Sequence, residues 1–443
     1  MMAKSTANGL TGRKALLARG SLWNFVLKLI SVVLLFYAEL LVAGALGLAE
    51  YDLWATAVSW LTILAVLAAL GMNTLVVRQL PAFISTGARV RARSVLRWTS
   101  RRMGLAALVL GALLLLGRHR LSGQGGELAP VLLVIALMLP FQVLLLHSEA
   151  ALRGFSRPLL SQVPQLLLRP LLFVVLLGAA LQVGFRWTAE RVAVAALISL
   201  LFSWLFAWAR LRSVVGQELG QGVPQSPDPA WRKLVAQLFG LQLAGVLVAQ
   251  ADPAMLYALA PSGQAGIYAV AGRLAMFLSF AQVAVNVVLA PLMSSLHATG
   301  ARAELQQHLR RAARGIALFT LPALVVMWWT GPWLLSLFGP GFEEGERTLR
   351  WLICGRGFAA LSGAVSLLLV MCGHQGVALR ILLVTAVGKL LANLLLMPLW
   401  GAEGAAMATV GMLALSNGWA WLEVRRRLGF DPSVLTVLRS AVH

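Results

Sequence analysis

Charge is scarce in this sequence. Only 12% of its 443 residues are Asp, Glu, Lys or Arg, and 59% are hydrophobic. A soluble domain carries roughly twice that charged fraction. Cysteine is scarcer still. Cys354 and Cys372 are the only two, both in apolar surroundings, which argues against a disulfide framework or a thiolate metal site. The six His residues are scattered, with no His/acid spacing suited to zinc. No GxxxxGK[ST] loop occurs, so the chain carries no evident ATP motor of its own. No outer loop is long enough for a catalytic domain. The longest lie around 118–129 and 339–350, and the acidic, glycine-rich Gly339 to Glu346 stretch lacks EF-hand spacing and reads as a surface turn. These absences leave no catalytic residue, metal or cofactor to assign, and the chain is not expected to be an enzyme.

Apolar stretches fill the rest, many near the 20 residues that a bilayer requires. We place spans near 21–48, 54–78, 103–117, 130–150, 159–182, 190–212, 234–259, 266–295, 313–338, 351–372, 376–399 and 402–424. The fold class is therefore all-α: a polytopic membrane protein of about twelve helices. The third span is short and could begin earlier, among the arginines. The first is too long for a signal peptide and reads as a retained span, followed by a first outer turn at Leu48 to Asp52.

The net charge of +21 would suggest nucleic acid in a soluble protein. Here the charges cluster between apolar runs, so no nucleic-acid partner is expected. Of the 37 Lys and Arg residues, 26 fall on one side of the layout, six on the other and five inside spans. The positive-inside rule then puts both termini in the cytoplasm. Arg89, Arg91, Arg93, Arg97, Arg101 and Arg102 form either a basic helix lying on anionic lipids of the inner leaflet or a solvated linker.

The Gly-, Pro- and Gln-rich segment from Ser213 is nearly central and reads as a linker between halves. A second basic stretch, Arg302 to Arg314, sits in the second half where 89–102 sits in the first. Glu50 to Ala57 aligns with Gln264 to Ala271, and an acid precedes each aromatic by similar spacing, Glu39 before Trp54 and Asp252 before Tyr268. Together these predict a 6+6 repeat. The expected parts are an N-terminal segment 1–20, a bundle 21–212, a linker 213–233, a bundle 234–424 and a tail 425–443.

Polar groups inside spans carry the functional expectations. Asn24, Lys28, Ser31 and Glu39 share a face of the first helix. Gln162, Gln165 and Arg169 follow i, i+3, i+7 between Pro164 and Pro170. Lys389 and Asn393 are i, i+4, while Ser279, Gln282 and Asn286 form a further stripe. Uncharged members of these sets can equally be interhelical glue, and Lys28 can snorkel to headgroups. Arg169 and Lys389 lie deeper, where charge is costly unless it serves a cavity or a partner. Asp252 and Arg273 flank the turn at 260–264 at similar depth, as either a structural ion pair or a functional one.

Asp252, the run Gly266 to Ala271, Arg273-Leu274 and Pro291 to Leu296 resemble the seventh and eighth spans of Wzx-type polysaccharide flippases. Leu335 to Gly339 with Phe342, then Asn393, Pro398, Gly401 and Gly404 to Ala406, extend the likeness, as do Leu46 to Trp54 and Gly71 to Arg78. That family belongs to the multidrug/oligosaccharidyl-lipid/polysaccharide exporter superfamily. The likeness departs at Asp52, where the family commonly has Gly. The resemblance implies two six-helix bundles around a central cavity that opens alternately to either face of a bacterial inner membrane. It implies a substrate of oligosaccharide on a polyprenyl (pyro)phosphate, with glycosyltransferases and a polysaccharide polymerase as partners. Lys28, Arg169, Arg273 and Lys389 would then meet phosphate, and Gln162, Gln165, Asn286 and Asn393 sugar hydroxyls. Asp252 and Glu39 would couple the cycle to protons or another ion, with Asp252 as the switchable partner of Arg273. A multidrug exporter of the same superfamily, and a membrane polymerase or ligase, are the rival readings.

Overall fold

The computed structural model describes residues 2–122, 126–182, 186–220 and 229–432. Side chains are described from Leu27 onward, apart from 229–230, 232–233, 237, 287 and 291. Within these residues the chain is helical, without strands. The helices are α1 (Met2–Ala69), α2 (Met72–Ser85), α3 (Arg89–Leu121), α4 (Leu128–Gly154), α5 (Pro158–Val163), α6 (Arg169–Gln182) and α7 (Ala189–Leu219). They continue with α8 (Pro229–Leu259), α9 (Gln264–Met276), α10 (Phe280–Ala298), α11 (Arg302–Ser336), α12 (Glu346–Leu361), α13 (Val365–Met371) and α14 (Gln375–Leu428). A π turn, Pro164–Leu168, joins α5 to α6.

Among the described residues nine helices are long and apolar enough to cross a membrane, or ten with the pair Phe342–Leu361 and Val365–Met371, which is bent by 42°. Two of these are double. α1 breaks at Gly47 (φ 69°, ψ 174°) and α14 at Gly401 (φ 52°, ψ −130°), backbone that glycine adopts without a Cβ penalty. Each piece on either side still has about the 20 residues a span needs. Splitting both helices turns ten segments into twelve, the number expected from hydropathy.

Several boundaries differ from the sequence reading. The basic stretch 89–102 is neither a separate surface helix nor a linker, because α3 runs unbroken from Arg89 to Leu121. Its buried face there is Ala92, Ser94, Val95, Leu96 and Thr99, so the arginines ride on a packed helix. Likewise Arg302 to Arg314 opens α11. The expected outer turn Leu48 to Asp52 is helix, and Tyr51 and Asp52 are buried. The second span is interrupted at Leu70 and Gly71, both with positive φ, and resumes as α2. The central linker is helical to Leu219 and again from Pro229, and residues 221–228 lie outside the described set. Of the tail, residues 433–443 lie outside it as well.

The chain forms two compact units. One comprises Met1–Leu46 and Leu64–Gln242, the other Gly47–Ile63 and Leu243–His443. In the first, α4 is the central helix. Two-thirds of its apolar window is buried, and it packs against α2, α3 and α7. Leu75, Leu80, Val95, Leu152 and Trp231 form part of a core at one end. In the second unit α12 packs on α11 and α14, and a core gathers Met293, Leu305, Val365, Leu368, Val424 and Phe430. Large apolar side chains also face outward, among them Leu116, Leu318 and Leu395. Water would penalise such a surface, whereas hydrocarbon does not.

Candidate functional site: charges held inside the spans

The second unit contains a buried ion pair. Asp252 is 1% and Lys389 3% exposed, and Lys389 Nζ lies 2.7 Å from Asp252 Oδ2. Two more donors reach the same carboxylate. Tyr268 donates its hydroxyl to Oδ2, and Asn393 Nδ2 donates to Oδ1 at 2.8 Å. The Tyr268 proton is thus committed, so Thr409, 2.9 Å away, donates to the tyrosine oxygen. Lys389 also donates to the Val248 carbonyl. Helical geometry assembles this cluster, since Val248 and Asp252 are one turn apart on α8, and Lys389 and Asn393 one turn apart on α14. A charge removed from water needs a close countercharge and further hydrogen bonds, and this pair has both. The cluster as a whole is neutral.

Asp52 makes a second buried contact in this unit. Its Oδ1 accepts the backbone N–H of Gly266 at 2.7 Å, in the first turn of α9. The helix has no side-chain cap of its own, so a carboxylate from α1 satisfies an amide that would otherwise be orphaned. A Cβ on Gly266 would lie 3.3 Å from the Asp52 nitrogen, so glycine permits the approach.

The first unit holds a different kind of charge. Arg169 is half-buried, and its Nη1 donates to Gln142 Oε1 at 2.7 Å. Among the described residues it forms no ion pair, although Glu149 on α4 acts on it electrostatically. The turn before it is π-helical, so the Arg169 amide bonds back to the Pro164 carbonyl, five residues earlier. Such a bulge shifts the phase of everything after it by about 100°. Gln162, Gln165 and Arg169 therefore do not form the single stripe expected from an ideal helix. Gln162 instead donates to the Pro158 carbonyl at 3.1 Å, within its own helix. The Gln165 Oε1 is buried without a hydrogen-bond partner.

The remaining expected residues lie apart from these contacts. Lys28 is exposed, while Glu39 and Arg273 are half-buried. Arg273, in the last turn of α9, is not among the partners of Asp252, so the expected Asp252–Arg273 pair is replaced by Asp252–Lys389. Matched depth in a hairpin placed the right acid but the wrong base, because the ammonium comes from a helix 137 positions away. Asn286 Oδ1 is buried and unpartnered, whereas Gln282 is spent on the Ala359 and Gly363 carbonyls. Asn24 falls outside the described side chains. Among the described residues no three His, Cys, Asp or Glu side chains are grouped to hold a metal ion. Sequence reasoning used Tyr268 only as a marker of the repeat and missed Thr409 and Gln142. All three lie in apolar runs, and their roles became visible only through their contacts.

The fold is shared with solved membrane transporters. A multidrug resistance MATE family transporter of the MOP superfamily, in an inward-facing conformation, matches with a TM-score of 0.73 at 15% identity, over 90% of this chain and 94% of that one. The lipid II flippase MurJ, inward closed, gives 0.71 at 14% identity over 91% and 87%. A MOP superfamily transporter from Pyrococcus furiosus, described as having a binding pocket of reverse polarity, gives 0.63 at 16% over 91% and 94%. At these identities the likeness is one of fold. No curated protein matches the chain by sequence. The profile of the family described as "Polysaccharide biosynthesis protein" matches residues 17–297, more than half the chain. This all-α, multi-pass membrane protein, built on the fold of the MOP superfamily, therefore belongs to the polysaccharide biosynthesis protein family.

Proposed function

We propose that this protein is a flippase. It moves a polyprenyl-(pyro)phosphate-linked oligosaccharide from the inner to the outer leaflet of a bacterial cytoplasmic membrane by alternating access, with both termini cytoplasmic. The observation that carries this reading is Arg169. Its guanidinium lies within a span, donates to a neutral amide and has no carboxylate in contact among the described residues. A charge held at that cost is available to an anion, and a guanidinium matches two phosphate oxygens at once. Family membership points to the same class of substrate.

Lys389 takes a second role. Its charge is neutralised by Asp252, so it meets phosphate only after that carboxylate is protonated or drawn away. Asp252 is then the coupling acid, Lys389 the cation it releases, and Asn393 moves with them. Arg273 and Lys28 supply further positive charge, Glu39 a second coupling acid. Gln162, Gln165 and Asn286 offer amide groups to sugar hydroxyls, and two of these amides have buried unpartnered oxygens. The basic ends of α3 and α11 rest on anionic headgroups. Glycosyltransferases supply the substrate, and a polymerase consumes the product.

A multidrug exporter of the same fold would hold free carboxylates for cationic drugs, but Asp252 is already neutralised here. A polymerase or ligase would need reactive groups at an outer face, where the loops are short. The test is movement of a labelled lipid-linked oligosaccharide in proteoliposomes. Flipping that is lost in Arg169→Gln supports the reading. Transfer of sugar between lipids without flipping replaces it with an enzyme, and drug efflux without flipping replaces it with an exporter.

A further inference from the structure

The second unit has a cleft of about 390 Å³ that none of the roles above uses. It is lined by Gln264, Glu344, Arg347, Thr348, Trp400 and Glu403. These come from the start of α9, the segment between α11 and α12 with the first turn of α12, and the Gly401 break in α14. In a twelve-span layout all three junctions lie at the membrane face opposite the termini. By the charge rule that is the outer face, where a flipped headgroup arrives.

The cleft is built rather than incidental. Trp351 Nε1 donates to Glu403 Oε1 at 3.2 Å, which fixes that carboxylate. The Ala402 amide donates to Gln264 Oε1 at 2.8 Å, and the Gln264 NH₂ has no acceptor among the described residues. The missing side chain of Gly401 makes this possible, since a Cβ there would lie 2.5 Å from that oxygen. Glu344 and Arg347 make no ion pair with each other or with any described residue, although they line the same cleft. The neighbouring Glu346 and Arg350 do pair. Trp400 is 51% exposed at the rim.

We infer that this cleft is a carbohydrate subsite that receives the oligosaccharide headgroup on the outer face. Planar carboxylate, amide and guanidinium groups can each hydrogen-bond neighbouring hydroxyls, and Arg347 and Gln264 donate where Glu344 and Glu403 accept. An exposed indole offers a flat apolar face to the C–H face of a pyranose ring, with a polar edge beside it. A ring with one apolar face and a belt of hydroxyls fits this set of groups better than a lipid tail or a bare metal ion. The inference deepens the flippase reading and rests on it for the identity of the glycan.

The probe is the oligosaccharide released by mild acid from the lipid-linked pool of the native cells. It is titrated against the full chain in nanodiscs and read by saturation-transfer difference NMR. Wild type is expected to bind, with transfer to the sugar ring protons. Trp400→Ala and Arg347→Ala should weaken binding at least fivefold, while Trp400→Phe, which keeps an aromatic face, stays within twofold of wild type. Thermal unfolding of each variant verifies that it is folded. No binding by wild type, or unchanged binding in either alanine variant, overturns the subsite. The flipping assay run in parallel separates the two ideas. Flipping by wild type with binding untouched in Trp400→Ala sinks the subsite alone. Binding lost in Trp400→Ala, with no flipping by wild type, sinks the flippase reading and leaves the subsite.

Discussion

Replacing Lys389 by Met removes the ammonium but keeps most of the side-chain volume. Asp252 would then stay 1% exposed, with Tyr268 and Asn393 as its remaining donors. At the observed 2.7 Å, the attraction lost is roughly 6 kcal/mol with an effective dielectric of about 20, and part of it only offsets desolvation. Breaking a buried pair from one side typically costs about 3–5 kcal/mol. Asp252→Asn strands the ammonium instead and should cost a similar amount. The double variant leaves no buried charge, and Asn at 252 can still accept from Tyr268. It should therefore be more stable than either single variant, with a coupling energy of about 2 kcal/mol or more. The assay is thermal unfolding in nanodiscs followed by tryptophan fluorescence. At about 2 °C per kcal/mol, each single variant should lose roughly 6 °C or more. If the double variant loses the sum of the two single losses, the pair is not a coupled unit and the reasoning fails.

Three further outcomes follow from the same contacts. Arg169→Gln should lower flipping at least tenfold while shifting Tm by only a few degrees, because the partner it leaves, Gln142, is neutral; normal flipping would remove Arg169 from the substrate path. Asp52→Ala should cost about 0.5–2 kcal/mol through the lost cap on Gly266, with Asp52→Asn intermediate, measured by the same unfolding assay. Gly71→Ala should cost about 1–3 kcal/mol, since φ is +74° and the new Cβ would lie 2.7 Å from the Phe239 nitrogen; an unchanged Tm would refute that close approach.

Hydropathy marked each span found among the described residues, because a helix in lipid must satisfy its own backbone and present an apolar surface, and both demands are local. It left the start of α3 open, among the arginines where the helix does begin, and put that of α11 too late, because the arginines there belong to a helix that runs on beyond the hydrocarbon. It also read Leu48 to Asp52 as a turn, although one glycine, Gly47, makes the break. Asp52 stood out as a departure from the family pattern, and the structure supplies its reason in the Gly266 amide. Spacing alone put Lys389 and Asn393 on one face, and the structure keeps them together on Asp252. The Gln162–Gln165–Arg169 stripe failed, because a π turn leaves no mark in a residue pattern read at 3.6 per turn.

The sequence by itself determined that the chain is an all-α membrane protein, where its spans run, and which few charged residues they carry. Each of these follows from the cost of placing a residue in hydrocarbon, whoever its neighbours are. Only the tertiary structure decided which charges are spent and which remain. Asp252 is neutralised by Lys389 rather than Arg273, while Arg169 keeps its charge beside an amide. The sequence is silent on that choice because pairing depends on separations of a few ångströms between residues far apart in the chain, and helix packing alone sets those.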